Sequence, residues 1–316
     1  MSTARREKLL LLDTASLYFR AFYGVPDSLK RADGTPVNAV RGLLDMIARL
    51  VTDFEPTHLV ACWDDDWRPQ WRVDLIPSYK AHRVAEVVPG PAPDVEVVPD
   101  PLEVQVPLIR EILALLDVAV VGAAEHEADD VIGSLATQAQ MPVDVVTGDR
   151  DLFQLVDDSR DVRVIYTARG MSKLEVLTDV SVVGKYGVLP SQYADFAVLR
   201  GDTSDGLPGV AGIGEKTAAS LLQQFGDLDS LIAAADDPAA PLSATMRAKI
   251  RTAAEYLAVA PTVVEVVRDL DLGDVDGEIR PLDAASVAEV QRLAAEWNLG
   301  GSAQRVLQAL GNEAGG

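Results

Sequence analysis

The chain has 316 residues, 28 basic and 49 acidic side chains for a net charge of −21, 48% hydrophobic content and a single cysteine. That length allows one large or two moderate domains. No apolar run nears the roughly 18 residues of a membrane helix, and the lone Cys62 excludes an internal disulfide and fits a reducing cytosol. The acidity alone argues against a nucleic-acid partner.

In chain order, Arg5, Arg6 and Lys8 precede Leu9–Leu12, an apolar stretch too short for a signal peptide that stops at Asp13. A second run, His58–Trp63, meets Asp64. Beyond it Arg68, Arg72, Lys80 and Arg83 are interleaved with Trp67, Trp71 and Tyr79. For contact, such local clustering outweighs net charge. Residues 84–101 hold five prolines, four acids and no base, which predicts a mobile, extended loop rather than a packed element. A helical pattern follows from about 104 to 116. Val118–Val121 then leads to Glu127, Asp129 and Asp130, and a helix over 128–139 has Ala128, Val131, Ile132 and Leu135 at helical spacing. Val143–Val146 leads to Asp149 and Asp151. After Asp205 the chain reads as mostly helical, over Thr217–Phe225, Ser230–Ala234, Ala244–Leu257 and Ala285–Leu299, and ends in a loose Gly315–Gly316 tail.

Short apolar runs separated by helical patterns read as strands of a parallel sheet buried on both faces. Ligands of such sheets bind beyond the carboxyl ends of the strands, so the acids of four segments should meet there. Crowded carboxylates cannot all ionise. Hard divalent cations such as Mg²⁺ or Mn²⁺ suit an oxygen-only ligand set, and a cluster of this kind is a candidate site for phosphoryl hydrolysis.

Each segment has a competing structural reading. Asp13 can be a helix cap. A haloacid-type phosphatase needs a second Asp where Ala15 stands. In Asp64-Asp65-Asp66 the best ligand candidate is Asp64, which directly follows the strand. Acids at 127–130 can complement a helix dipole, which explains one or two of them less readily than three. His58, His82 and His126 lack zinc-like spacing. Asp149 and Asp151 follow a Gly turn and can cap. Asp202 and Asp205 lie three apart in a segment that does not fit a calcium loop. Gly209-Val-Ala-Gly-Ile-Gly-Glu-Lys-Thr217 resembles a phosphate-binding Walker loop, but Glu215 stands where that loop needs Lys. What remains is a glycine turn aiming backbone N–H groups at a phosphate from a helix N-terminus, a mode suited to gripping a duplex backbone.

The order Asp13, Asp64, Glu-Ala-Asp-Asp (127–130), Thr-Gly-Asp-Arg-Asp (147–151), Gly-Asp-x-Ser-Asp-Gly-x-Pro-Gly-Val (201–210) and Gly-x-Gly-Glu-Lys-Thr (212–217) resembles the bacterial 5′ nucleases. These are the flap endonuclease and 5′–3′ exonuclease relatives of the N-terminal domain of DNA polymerase I. The likeness covers roughly residues 9–290, and Tyr79-Lys80-Ala81-His82-Arg83 matches the family's arch element. No polymerase domain follows, so the chain looks like a stand-alone member.

The resemblance implies an α/β fold: a PIN-like, open, mainly parallel sheet flanked by helices, with an arch segment and a C-terminal helix–hairpin–helix module. It implies a nuclease core over 1–200 with the arch at 65–105, a duplex-binding module over 201–290, and a C-terminal helix and tail over 291–316. It implies two or more Mg²⁺ or Mn²⁺ ions. Asp13, Asp64, Glu127 and Asp129 match the first metal group; Asp149, Asp151, Asp202 and Asp205 match the second, with Asp130 in the outer shell. Lys80 and Arg83 would act on the scissile phosphate, Tyr79 would stack on an unpaired base, and Arg20 matches a position near the site. Arg72, Gly209, Gly212, Gly214, Lys216 and Thr217 would contact DNA, with K⁺ held at the hairpin. The implied partner is DNA with a 5′ flap, nick or 5′ end, bound by a cytoplasmic monomer working beside a polymerase and a ligase. The chain departs from the family in its acidic, Pro-rich 84–101 segment and in the extra acids Asp65 and Asp66. A PIN-type metal-dependent ribonuclease and a non-catalytic, structure-specific DNA-binding protein are the alternatives.

Overall fold

The computed structural model describes residues 6–28, 30–88 and 92–312. Arg5, residues 89–91 of the proline-rich segment and the Gly315–Gly316 tail lie outside them. The first half runs β1 (Leu9–Asp13), α1 (Thr14–Gly24), α2 (Asn38–Phe54), β2 (His58–Cys62), α3 (Gln70–Leu75), β3 (Val84–Glu86), β4 (Val95–Glu96), α4 (Asp100–Glu103), α5 (Val106–Leu115), β5 (Ala119–Val121), α6 (Ala128–Gln138) and β6 (Val143–Thr147). There follow β7 (Val162–Tyr166), β8 (Glu175–Leu177), α7 (Asp179–Tyr186), α8 (Tyr193–Arg200), α9 (Glu215–Phe225), α10 (Leu228–Asp236), α11 (Ala244–Thr252), α12 (Ala254–Leu257), α13 (Ala260–Val264), α14 (Ala284–Glu296) and α15 (Ser302–Ala309).

The main sheet has the order β5-β2-β1-β6-β7-β8 and is parallel except for the β7–β8 pair. Successive β1 side chains point to opposite faces, and both faces are covered. Leu9 and Leu11 join a core with Val60, Val145, α6 and the helices α8 to α13. Leu10 and Leu12 join a second core with α1, α2, α5, α14 and α15. An uninterrupted apolar β1 is therefore required. β1 lies between β2 and β6, with Asp13 level with Cys62 and Leu12 level with Val146. The chain departs from β1 in both directions across the sheet, and such a switch point opens a crevice at the strands' carboxyl ends.

The four anticipated strands are present, and β7 and β8 extend the sheet beyond them. The segment expected as one helix over Ala244–Leu257 is two, because Ala253 leaves helical geometry between α11 and α12. The loop reading of 84–101 needs correction. Val84 and Glu86 pair with Glu96 and Val95 in a short antiparallel ribbon. Asp94 fastens it to the core, accepting from Arg68 at 2.6 Å and from the Trp67 indole through its carbonyl at 2.7 Å. Two of the four acids thus find bases outside the segment, Asp94 on Arg68 and Glu96 on Arg83.

Candidate active site

Asp13 ends β1 and caps α1, accepting from Ser16 N at 3.1 Å, while the Thr147 hydroxyl donates to its other oxygen at 2.6 Å. Asp64, two residues past β2, accepts from Ala128 N at 2.8 Å. Glu127 caps α6, and Asp129 and Asp130 occupy its first turn. Past β6 the Thr147 hydroxyl accepts from Asp149 N, and Asp149 accepts from Asp151 N. Gly148 passes so close to Ser16 that a Cβ would meet its hydroxyl at 2.6 Å. A cleft of about 210 Å³ is lined by Asp13, Asp64, Glu127, Asp129 and Asp149 together with Lys80, Arg83 and Glu96. Asp151, Asp202 and Asp205 sit beside it as a second group, coupled by charge to Asp149.

The electrostatics are those of crowded acids. Burial, then the Asp64 charge, raise Asp13 to about 7 against the lowering bond from Thr147. Burial raises Asp64 to about 6 and does the same for Asp205. Burial and neighbouring carboxylates push Asp129 and Asp151 well above the usual range. Asp151 is buried and its Oδ1 has no hydrogen-bond partner among the described residues. Among those residues no three His, Cys, Asp or Glu side chains are grouped closely enough to hold a metal ion. The carboxylates are instead engaged by Ser16, Thr147, Ala128, Tyr79, Lys80 and Arg72. The donor set and the orphaned Asp151 oxygen nonetheless fit divalent cations: oxygen ligands from several strand ends, short of positive charge.

The arch base brings cations to this cleft. Lys80 is buried and pairs with Glu127, which also accepts from the Tyr79 hydroxyl at 2.7 Å and from Arg72 at 3.3 Å. Arg83 pairs with Glu96. Lys80 adopts left-handed backbone geometry, φ 47°, and its N–H donates to Asp205 O at 2.9 Å. A Cβ on Gly206, at φ +71°, would run into the Ser78 carbonyl, so this loop and the arch base fit only with glycine there.

Two expectations are corrected. Arg72 is buried and holds Asp130 through two 2.7 Å bonds, so it braces α3 against α6 and is not exposed to DNA. Tyr79 is likewise buried with its hydroxyl on Glu127, leaving no face to stack on a base. Gly209 is half-buried, and a Cβ there would meet the Arg200–Gly201 backbone. Asp130 is taken up by Arg72 and Val267 N. Burial alone would raise it, but Arg72 and Val267 N hold it below the usual carboxylate range. Arg20 borders the Gly148 turn, donating to Ala168 O at 3.3 Å. Gly212 and Gly214 are exposed at the hairpin, and exposed Lys216 and half-buried Thr217 lie in the first turn of α9. The Gly212 carbonyl accepts from Lys249 at 2.8 Å.

Sequence reasoning missed Arg150, Arg200 and Glu96. Arg200 is two residues from Asp202 and bonds it at 3.0 Å. Arg150 and Arg200 act through carboxylates that only the fold brings to them, and Glu96 through Arg83 across the short ribbon, so no spacing marks them.

Acids at the ends of parallel strands, cations at an arch and a glycine turn opening a helix define a carboxylate-centred nuclease. Residues 8–187 match the model of the 5′–3′ exonuclease N-terminal resolvase-like domain, and residues 188–285 that of the 5′–3′ exonuclease C-terminal SAM fold. The chain is 60% identical over 301 residues to a 5′–3′ exonuclease of Streptomyces coelicolor, covering 95% of this chain and 99% of that protein. It is 40% identical over 276 residues to DNA polymerase I of Mycobacterium bovis, covering 86% of this chain and 28% of that protein. It shares its fold with the flap endonuclease of bacteriophage T5, solved with DNA and metal ions, at TM-score 0.61, 15% identity and coverage of 96% and 99%. The chain belongs to the 5′–3′ exonuclease family and is an enzyme of that family, which displaces both the ribonuclease and the non-catalytic alternatives. Among the described residues no helix is long and apolar enough to cross a membrane.

Proposed function

We propose that the protein hydrolyses DNA phosphodiester bonds at 5′ ends, nicks and 5′ flaps. The observation that carries this reading is the cleft where Asp13, Asp64, Glu127, Asp129 and Asp149 face Lys80 and Arg83. Two or more Mg²⁺ or Mn²⁺ ions would be held by Asp13, Asp64, Glu127 and Asp129, and by Asp149, Asp151, Asp202 and Asp205. When bound, they would supply a water of lowered pKa and offset charge on the attacking and leaving oxygens.

Asp130 keeps Arg72 in place and thereby the cap of α6 that carries Glu127. Lys80 and Arg83 meet the scissile phosphate, and Arg20 steers the strand at the edge of the Gly148 turn. Gly212, Gly214, Lys216 and Thr217 grip one strand of the duplex. A potassium ion at the hairpin would use carbonyls other than that of Gly212, which Lys249 already occupies. The core over 1–200, the module over 201–290 and the segment over 291–316 act as one cytoplasmic monomer, beside a polymerase that makes flaps and a ligase that seals the nick.

Cleavage of a 5′-flap duplex with Mg²⁺ or Mn²⁺, against blunt duplex and single-stranded RNA, tests the reading. Flap cleavage abolished by chelator and restored by either ion is expected. Cleavage that persists in excess chelator refutes it.

A further inference from the structure

The second acid group carries its own cations. Arg200, at the C-terminal end of α8, has a side chain 8% exposed, stacked over Phe196 at 5.2 Å. Its Nη2 donates to Asp202 Oδ2 at 3.0 Å and its Nε to Gly201 O at 3.0 Å. Its Nη1 has no hydrogen-bond partner among the described residues and stands 3.6 Å from Glu215 Oε1. Arg150 spans the same two carboxylates, 3.6 Å from Asp202 and 3.6 Å from Glu215. The other oxygen of Asp202 accepts from Ser204 N at 2.9 Å and from the Ser204 hydroxyl. Both Asp202 oxygens are therefore taken, whereas Asp151 has one free.

A guanidinium is always charged and has five fixed donors. Buried with two of them spent, it is costly unless a carboxylate balances it. Asp202 balances it on one side and Glu215, the first residue of the hairpin helix α9, on the other.

We propose that Arg200 is a positioning residue that acts as the resident counter-ion of the second acid group. It holds Asp202 toward Glu215 and must be shared or released when a divalent cation enters, so it sets how weakly that group binds its ion. This rests on the metal-dependent reading above. A fixed positive charge beside a cation site lowers affinity, so removing it tightens binding. Removing Glu215 frees Arg200 to hold Asp202 more firmly and does the reverse.

The test is a Mn²⁺ titration followed by electron paramagnetic resonance of the free ion, with no DNA present. Arg200→Met should tighten the weaker class of site about fivefold or more, and Arg200→Lys should leave it near the wild-type value. Glu215→Gln, on an exposed side chain that leaves the core untouched, should weaken the same class by threefold or more. Arg251→Met, whose partner Asp236 lies on α10, should change neither class. Weaker or unchanged Mn²⁺ binding in Arg200→Met, or tighter or unchanged binding in Glu215→Gln, with wild-type binding intact, overturns the counter-ion role while sparing the metal site. If Arg200→Met does not fold, Glu215→Gln alone decides, and its failure to weaken binding is sufficient to reject the proposal. A wild-type protein that binds no Mn²⁺ overturns both readings.

Discussion

Replacing Asp13 by Asn should stabilise the metal-free protein, and by an amount that depends on pH. The Asp13 carboxyl is raised from 3.8 to about 7 by burial and by Asp64. Well below 3.8 it is protonated in folded and unfolded chains alike and costs nothing. Between 3.8 and about 7 the unfolded chain ionises while the folded one does not, so stability falls as pH rises. Above about 7 the full cost is present. Three units at about 1.4 kcal/mol each give at most about 4 kcal/mol at pH 8 and under about 2 kcal/mol at pH 5.

Asn keeps the cap on α1 but turns an amide toward the Thr147 hydroxyl, which returns about 1 kcal/mol of that gain. The net expectation is about 3 kcal/mol at pH 8 and roughly nothing at pH 5. In chelator, urea midpoints at the two pH values measure it. At a hundredfold excess of Mn²⁺ over the wild-type Kd the gain at pH 8 should shrink to near nothing, because binding to the native state adds about 2.7 kcal/mol and the wild type should bind more tightly. An Asn variant no more stable than wild type at pH 8 in chelator, or a gain that does not shrink toward pH 5, refutes the crowded-acid reasoning.

Arg83→Ala should lower single-turnover cleavage of a flap by about a hundredfold while its flap Kd moves less than about threefold; an unchanged rate at saturating enzyme removes it from the chemistry. Arg72→Ala should cost about 3–5 kcal/mol in urea unfolding, since it leaves Asp130 buried without its partner. It should leave the salt dependence of duplex binding unaltered, and a slope lowered by about one would restore it as a phosphate contact. Gly206→Ala should lower flap cleavage while circular dichroism stays native, because the side chain pushes Ser78 and Lys80 off the acidic loop; wild-type activity would show that this fit is dispensable.

How far the fold and site could be read follows from where the physics is local. The strands ending in Asp13, Asp64 and Asp149 are buried on both faces, so their apolar runs are continuous and visible. β7, Val162–Tyr166, carries Arg163 and has no acid at its end, so neither signal marks it. Glycines at the hairpin and the acidic spacing were legible because turn geometry and charge are properties of single segments. The partnerships were not. Arg72 reads as a base in an aromatic stretch, and only its 2.7 Å bonds to Asp130, 58 residues away, make it a buried strut. Asp94 in a proline-rich run reads as solvated until Arg68 and Trp67 are seen to hold it. Tyr79 reads as an exposed stacking platform until the Glu127 carboxylate is found on its hydroxyl.

Those partnerships also explain how grip and chemistry stay in register. The loop at 201–206 is keyed from both sides. On one side the Ser78 hydroxyl donates to Gly206 O at 2.7 Å and Lys80 N to Asp205 O, which fixes the arch base on the loop. On the other side Arg200 and Arg150 reach from Asp202 to Glu215, which fixes the loop on the helix that opens the glycine turn. Lys80 itself ends on Glu127 at the cap of α6. The path from hairpin to cleft is therefore hydrogen bonds, ion pairs and one glycine contact. A duplex gripped at α9, as proposed above, would be held at a distance from the acids set by these contacts.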